Sequence, residues 1–160
     1  MEGRKNILRA FEKVLQPSTG HPLARERGET EAKLDIAVVF TSVDPTLAAL
    51  RRAGVLASSL GARITLVVPQ VVPYPAPLES PPVLLDWNER RFRVIAGESP
   101  VETAVHIYLC RERMDVLKSV LRPLSLVVLG TRKRWWPTSE VRLARELRKM
   151  AHQVILVETE

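Results

Sequence analysis

A single cysteine, Cys110, has nothing to pair with, so an internal disulfide and a cysteine-based metal cluster are both excluded. The three histidines, His21, His106 and His152, stand far apart, and none forms a ligand-spaced pair. No apolar run approaches the roughly 18–20 residues of a membrane span. Charges interrupt the N-terminal residues, so no signal-peptide core is read there. Nucleophile–base–orienter patterns and paired carboxylates are also lacking, so no enzyme is expected. These absences together predict a cytoplasmic, non-catalytic protein in a reducing compartment.

The 160 residues suffice for one domain with a true core, and 46% hydrophobic content with a mean hydropathy near zero argues against wholesale disorder. The formal net charge of +6 is unevenly placed. Residues 131–150 hold seven Lys or Arg against two Glu, so most of the excess sits there. The feature that organises the chain lies in the same place, LSLVVLGTRKRWWPTSE from Leu124 to Glu140. A short apolar run reaches Gly130, a basic loop with Trp135 and Trp136 follows, and Thr138-Ser139-Glu140 opens a helical pattern. In an open α/β sheet, ligands bind where a strand hands over to a helix N-terminus. Yet no glycine follows Gly130 in this loop.

In chain order, residues 1–15 place Ile7, Leu8, Phe11, Val14 and Leu15 on one helical face flanked by Arg4, Lys5, Arg9 and Lys13. They predict an amphipathic helix docked on its own domain, on a dimer mate or on a membrane surface. Residues 16–33 read as a linker, so the division is 1–33 for the helix and linker and 34–160 for the domain. Leu34–Phe40 predicts a first strand. Asp44 is expected as N-cap of a helix with Pro45 at its first position, and Gly61 as the terminating glycine. Leu47, Leu50, Ala53 or Gly54, Ala57 and Leu60 form its expected buried stripe. Arg63–Val68 is the second strand.

Pro69–Pro82 holds six of the 12 prolines and reads as a stiff connection, with a PxxP-type ligand as the alternative. Val83–Ile95 predicts a helix packed through Leu84, Leu85, Trp87 and Phe92. Val101–Cys110 is the third strand, with His106 on the sheet or in the core. Cys110 reads either as a buried inert thiol or as one acidified by Arg111 and Arg113. Met114–Leu121 is a short helix and Leu124–Leu129 the fourth strand. Thr138–Met150 is a helix with Val141, Ala144 and Leu147 inward, and Val154–Val157 is the fifth strand. Strand and helix alternate, so the prediction is a parallel α/β sheet with helices on both faces.

Three stretches carry a resemblance. LAALRRAGVLASSLGARITLVV, LSLVVLGTR and VILVE, in that order and spacing, resemble the universal stress protein family over Leu34–Glu158. The resemblance implies a five-stranded parallel sheet in the order 3-2-1-4-5 and homodimers formed through the last strand, Val154–Val157. In one subgroup it also implies ATP at the strand carboxyl ends. That subgroup uses a loop of the form G-x-x-G, nine residues, then G-S or G-T. Here Gly130 matches the first glycine, Arg132–Trp136 occupies the region of the second, and Thr138-Ser139 stands near the last pair. Thr41 replaces the acidic residue expected at the end of the first strand.

The expected function is a homodimeric regulatory or interaction module without the usual ATP loop and with no cofactor. A second reading is a nucleotide or anionic-metabolite site built from Thr41, Ser42, Val68, Gly130, Arg132, Thr138 and Ser139, with Arg132, Lys133 and Arg134 meeting the anion. A third is anionic-surface binding, to nucleic acid or lipid, by the basic patch and its Trp pair.

Overall fold

The computed structural model describes residues 7–15, 34–79 and 85–160. The linker expected at 16–33 lies outside these residues, as do Leu84 and the first six residues. The described chain is a mixed α/β fold. In order it forms β1 (Ile7–Leu15), β2 (Asp35–Val39), α1 (Val43–Leu60), β3 (Arg63–Val71), α2 (Leu85–Gly97), β4 (Thr103–Cys110), α3 (Arg113–Val120), β5 (Leu126–Arg132), α4 (Ser139–Lys149) and β6 (Gln153–Thr159).

The sheet has six strands in the order β1-β4-β3-β2-β5-β6, not the five expected in the order 3-2-1-4-5. The difference is a strand added at one edge. Neighbours from β4 through β6 pair in parallel, whereas β1 pairs antiparallel with β4, from Ile7 against Cys110 to Leu15 against Thr103. The amphipathic helix expected at 1–15 is therefore corrected to a strand over 7–15. Its register shifts between Arg9 and Phe11, and that bulge breaks the period-2 alternation. An apolar series at 7, 8, 11, 14 and 15 then mimics a helical stripe. About four helical turns alone are marginal, while the β4 edge offers a ladder of unpaired backbone groups.

Two cores flank the sheet. On one face, Ala49, Leu50, Ala53 and Ala57 of α1 and Phe92, Ile95 and Ala96 of α2 bury Ile36, Val38, Ile64, Leu66 and Val128. On the other, Val116 and Leu117 of α3 and Leu143, Ala144 and Leu147 of α4 bury Val39, Val67, Val127 and Leu129. Small side chains on α1 let it approach the sheet closely. Leu60, expected in its stripe, is exposed, while Pro45 and Thr46 are buried in its first turn. Gly61 ends α1 in the left-handed region at φ 63°, which glycine enters without a Cβ penalty.

The start of α1 also differs from expectation. Ser42 is the N-cap, extended and without a side-chain bond to the helix. Asp44 lies within the first turn. Pro69, expected to open a loop, lies inside β3. The strand tolerates it because β2 pairs with β3 only as far as Val67, so beyond that point β3 has β4 alone as its neighbour. The loop after β3 is held by Arg111, whose Nη1 donates to the carbonyls of Val72 and Ala76, each at 2.9 Å. The same guanidinium lies 4.1 Å from the Tyr74 ring centre.

Cys110 ends β4 fully buried, with its Sγ 3.5 Å from the Gln70 carbonyl. Burial, reinforced by the Asp115 charge and opposed by Arg113, pushes its thiol from the ordinary 9.0 up to about 11. The acidified alternative is thereby corrected to the inert one. In the unfolded chain the thiol ionises first, so stability present below pH 9.0 is lost as pH rises toward about 11. The urea midpoint should fall over that window in the native sequence and fall less in Cys110→Ala.

Candidate functional site

The carboxyl ends of the parallel strands form a rim on which α1 and α4 begin. The β2–α1 turn is tied to β5 by side chains. Thr41 Oγ1 donates to the Gly130 carbonyl at 2.8 Å, and the Thr41 N–H donates to Thr46 Oγ1 at 3.2 Å. Gly130 is buried within β5, so β5 runs on to Arg132 instead of stopping at Leu129. A Cβ built on Gly130 would lie 1.9 Å from the Pro45 carbonyl oxygen and 2.2 Å from its carbon. Glycine is required there because the first turn of α1 rests directly on the strand. The side-chain position of Gly130 is filled by the Pro45 backbone.

The loop from Lys133 to Pro137 is pinned at both ends. The Lys133 N–H donates to the Thr159 carbonyl at 2.8 Å, extending the β5–β6 pairing by one bond. At the other end Thr138 caps α4: its Oγ1 accepts from the Val141 N–H at 3.3 Å and lies 2.9 Å from Thr131 Oγ1. Ser139 Oγ donates to Glu140 Oε1 at 2.9 Å. Partial burial alone would raise the Glu140 carboxyl. Hydrogen bonds from its own backbone and from Ser139 and Thr138, with the Arg113 charge, outweigh that and hold it below the usual carboxylate value. An ionised carboxylate thus already faces the positive end of the α4 dipole.

Two hollows open on this rim. One, of about 480 Å³, is lined by Ser42, Arg132, Arg134, Trp136, Thr138 and Ser139, among others. The other, of about 320 Å³, includes Thr41, Val68, Trp87, Asn88, Arg91 and Arg113. The seven residues expected to form one site are therefore divided. Ser42, Arg132, Thr138 and Ser139 come together, Thr41 and Val68 sit in the neighbouring hollow, and Gly130 lies beneath Pro45 in neither.

Arg132 is exposed and engages Asp44 at 3.2 Å, joining the start of α1 to the end of β5. Such an exposed pair contributes about 0–1 kcal/mol, so it orients the guanidinium more than it stabilises the fold.

Sequence reasoning missed the second hollow's architecture. Arg91 stacks near Phe40, Trp87 and Phe92, at 5.5–5.8 Å from each ring centre. Asn88, almost fully buried, donates through Nδ2 to Gln70 Oε1 at 2.6 Å. The signal available was Trp87 and Arg91 one helical turn apart; their meeting with Phe40 depends on the fold.

His106 is a half-buried sheet-face residue, with Nδ1 3.2 Å from the Tyr108 hydroxyl. It lines a third hollow, of about 390 Å³, at the opposite end of the sheet. No group of three metal-ligating side chains occurs among the described residues. No helix among them is long and apolar enough to cross a membrane.

No protein-family model matches this chain, and no curated protein matches it.

Gly130→Ala tests the seat of α1. The added Cβ meets backbone, which cannot swing away as a side chain would, so the variant should lose about 3 kcal/mol in urea unfolding. An unchanged midpoint would show that α1 does not rest on Gly130.

Proposed function

We propose that the chain is a universal-stress-protein-like regulatory or interaction module, cytoplasmic, non-catalytic, homodimeric through β6, and lacking an ATP-binding loop. The observation that carries the missing loop is the placement of Gly130. The one glycine in register with a phosphate-binding motif is consumed by the contact with Pro45. Support for the dimer comes from β6. Among the described strands it pairs only with β5, and Val154, Ile155, Leu156 and Val157 are each left half-exposed. An apolar outer strand of this kind offers backbone groups and side chains to a second copy.

Sedimentation velocity should give about twice the chain mass of 18.0 kDa. A strict monomer at high concentration would remove the dimer from this reading.

A second reading is favoured by one specific grouping. Arg132, Arg134, Ser139 and Trp136 converge on the 480 Å³ hollow, where a small anion would meet guanidinium donors and a ring face. Calorimetry separates the two. The module reading expects flat heats with Mg-ATP, AMP and cyclic nucleotides. Heat that Arg134→Ala abolishes would establish the anion site in its place.

A further inference from the structure

The loop between β5 and α4 places two indoles in water. Trp135 is 101% exposed and Trp136 83%, and among the described residues neither stacks on another ring or a cation. Their presentation is built into the backbone. The loop starts at the Lys133–Thr159 bond and ends at the Thr138 cap. Pro137 fixes its own φ and biases Trp136 toward an extended backbone. Ordering these side chains against a partner therefore costs less entropy than ordering a free tail. Lys133 and Arg134, immediately before the pair, are exposed, and neither has an ion-pair partner among the described residues.

We propose that this loop docks the protein on an anionic lipid surface, with Trp135 and Trp136 entering the headgroup region and Lys133 and Arg134 meeting the lipid phosphates. The proposal goes beyond the dimer and anion readings and depends on neither. Indoles are amphipathic and settle at the membrane–water boundary, while adjacent cations are drawn to acidic headgroups. Two weak signals together give reversible attachment where either alone is marginal.

The surroundings favour a bilayer over a nucleic-acid strand. A single strand needs a basic groove that follows its backbone between stacking platforms. Here carboxylates occupy the rim around the loop. Asp44 neutralises Arg132, Glu140 sits at the start of α4, and Glu158 lies beside Thr131 in the sheet. A polyanion lying along the rim meets those carboxylates, whereas a bilayer touched by the loop tip meets the indoles and Lys133 and Arg134, which have no ion-pair partner among the described residues.

The test uses the full chain in the Trp87→Phe background, so that only the loop indoles fluoresce. Vesicles of phosphatidylcholine with about one-quarter phosphatidylserine should bind the protein, shift its emission to shorter wavelength, and lose emission when brominated acyl chains are used. With binding measured by cosedimentation with the vesicles, pure phosphatidylcholine should bind about tenfold less, and so should Trp135→Ala/Trp136→Ala on the acidic vesicles. Lys133→Gln/Arg134→Gln, which leaves the indoles in place, should weaken binding and flatten its salt dependence. Circular dichroism confirms that each variant is folded. Absence of binding to the acidic vesicles overturns the proposal, as does binding that the double Trp variant retains. Tighter binding to single-stranded DNA with no quenching by brominated chains overturns it in favour of nucleic acid.

Discussion

The close approach of α1 to β5 at Gly130 is the constraint on which this end of the molecule depends. A helix that rests on a strand with no side chain between them brings its first turn within bonding reach of the strand's carboxyl end. Thr41 can then donate to the Gly130 carbonyl, Thr46 can accept from the Thr41 N–H, and Asp44 can reach Arg132. Each is modest alone, about 0.5–1.5 kcal/mol for the two threonine bonds and about 0–1 kcal/mol for the exposed ion pair. Their common geometric origin matters more than their sum, because a shift of α1 by the radius of a methyl group would disturb them together. Close packing leaves no compensating space: Pro45, Thr46, Gly130 and Thr131 are all buried.

The same contact shapes the rim. In a strand-to-helix anion site the backbone N–H groups stay free to face the ligand. Here one helix-start N–H is taken and a carboxylate stands beside it. Gly130 is covered, the Val141 N–H is taken by the Thr138 hydroxyl, and Glu140 places a carboxylate at the helix terminus. The groups left exposed at this end are therefore side chains, chiefly Arg134 and the two tryptophans.

How much of this was legible in the sequence depends on whether the deciding interaction was local. The β5 apolar run, the left-handed Gly61 that ends α1 and the opening of α4 at Thr138-Ser139 rest on short-range chemistry and were readable, though Thr138 is the cap and not the first helical residue. The start of α1 was displaced by two residues because Ser42 caps it without a side-chain bond. Asp44, the better cap by residue type, is committed to Arg132, 88 residues away in the chain. Residues 7–15 carry two periodicities at once, and the vacant β4 edge selects the strand. Pro69 argued for a loop because nothing local reveals that β2 ends before β3 does. Gly130 was legible as special but not as to why. It does not adopt a left-handed backbone; it is the one residue type that leaves room for Pro45.

The two cores explain why the sheet tolerates such an unusual rim. Both faces are sealed by apolar layers at the middle of the strands, where Ile36, Val38, Ile64, Leu66 and Val128 meet α1 and α2, and Val39, Val67 and Val127 meet α3 and α4. The stability of the fold therefore does not rest on the β5–α4 loop, which packs on neither core. A loop free of that duty can carry exposed tryptophans without loss of the fold, and its ends are held by one backbone bond and by the Thr138 hydroxyl, neither of which needs a particular side chain at 135 or 136. Exposed indoles at such positions contribute nothing to either core, so their replacement should leave the fold intact.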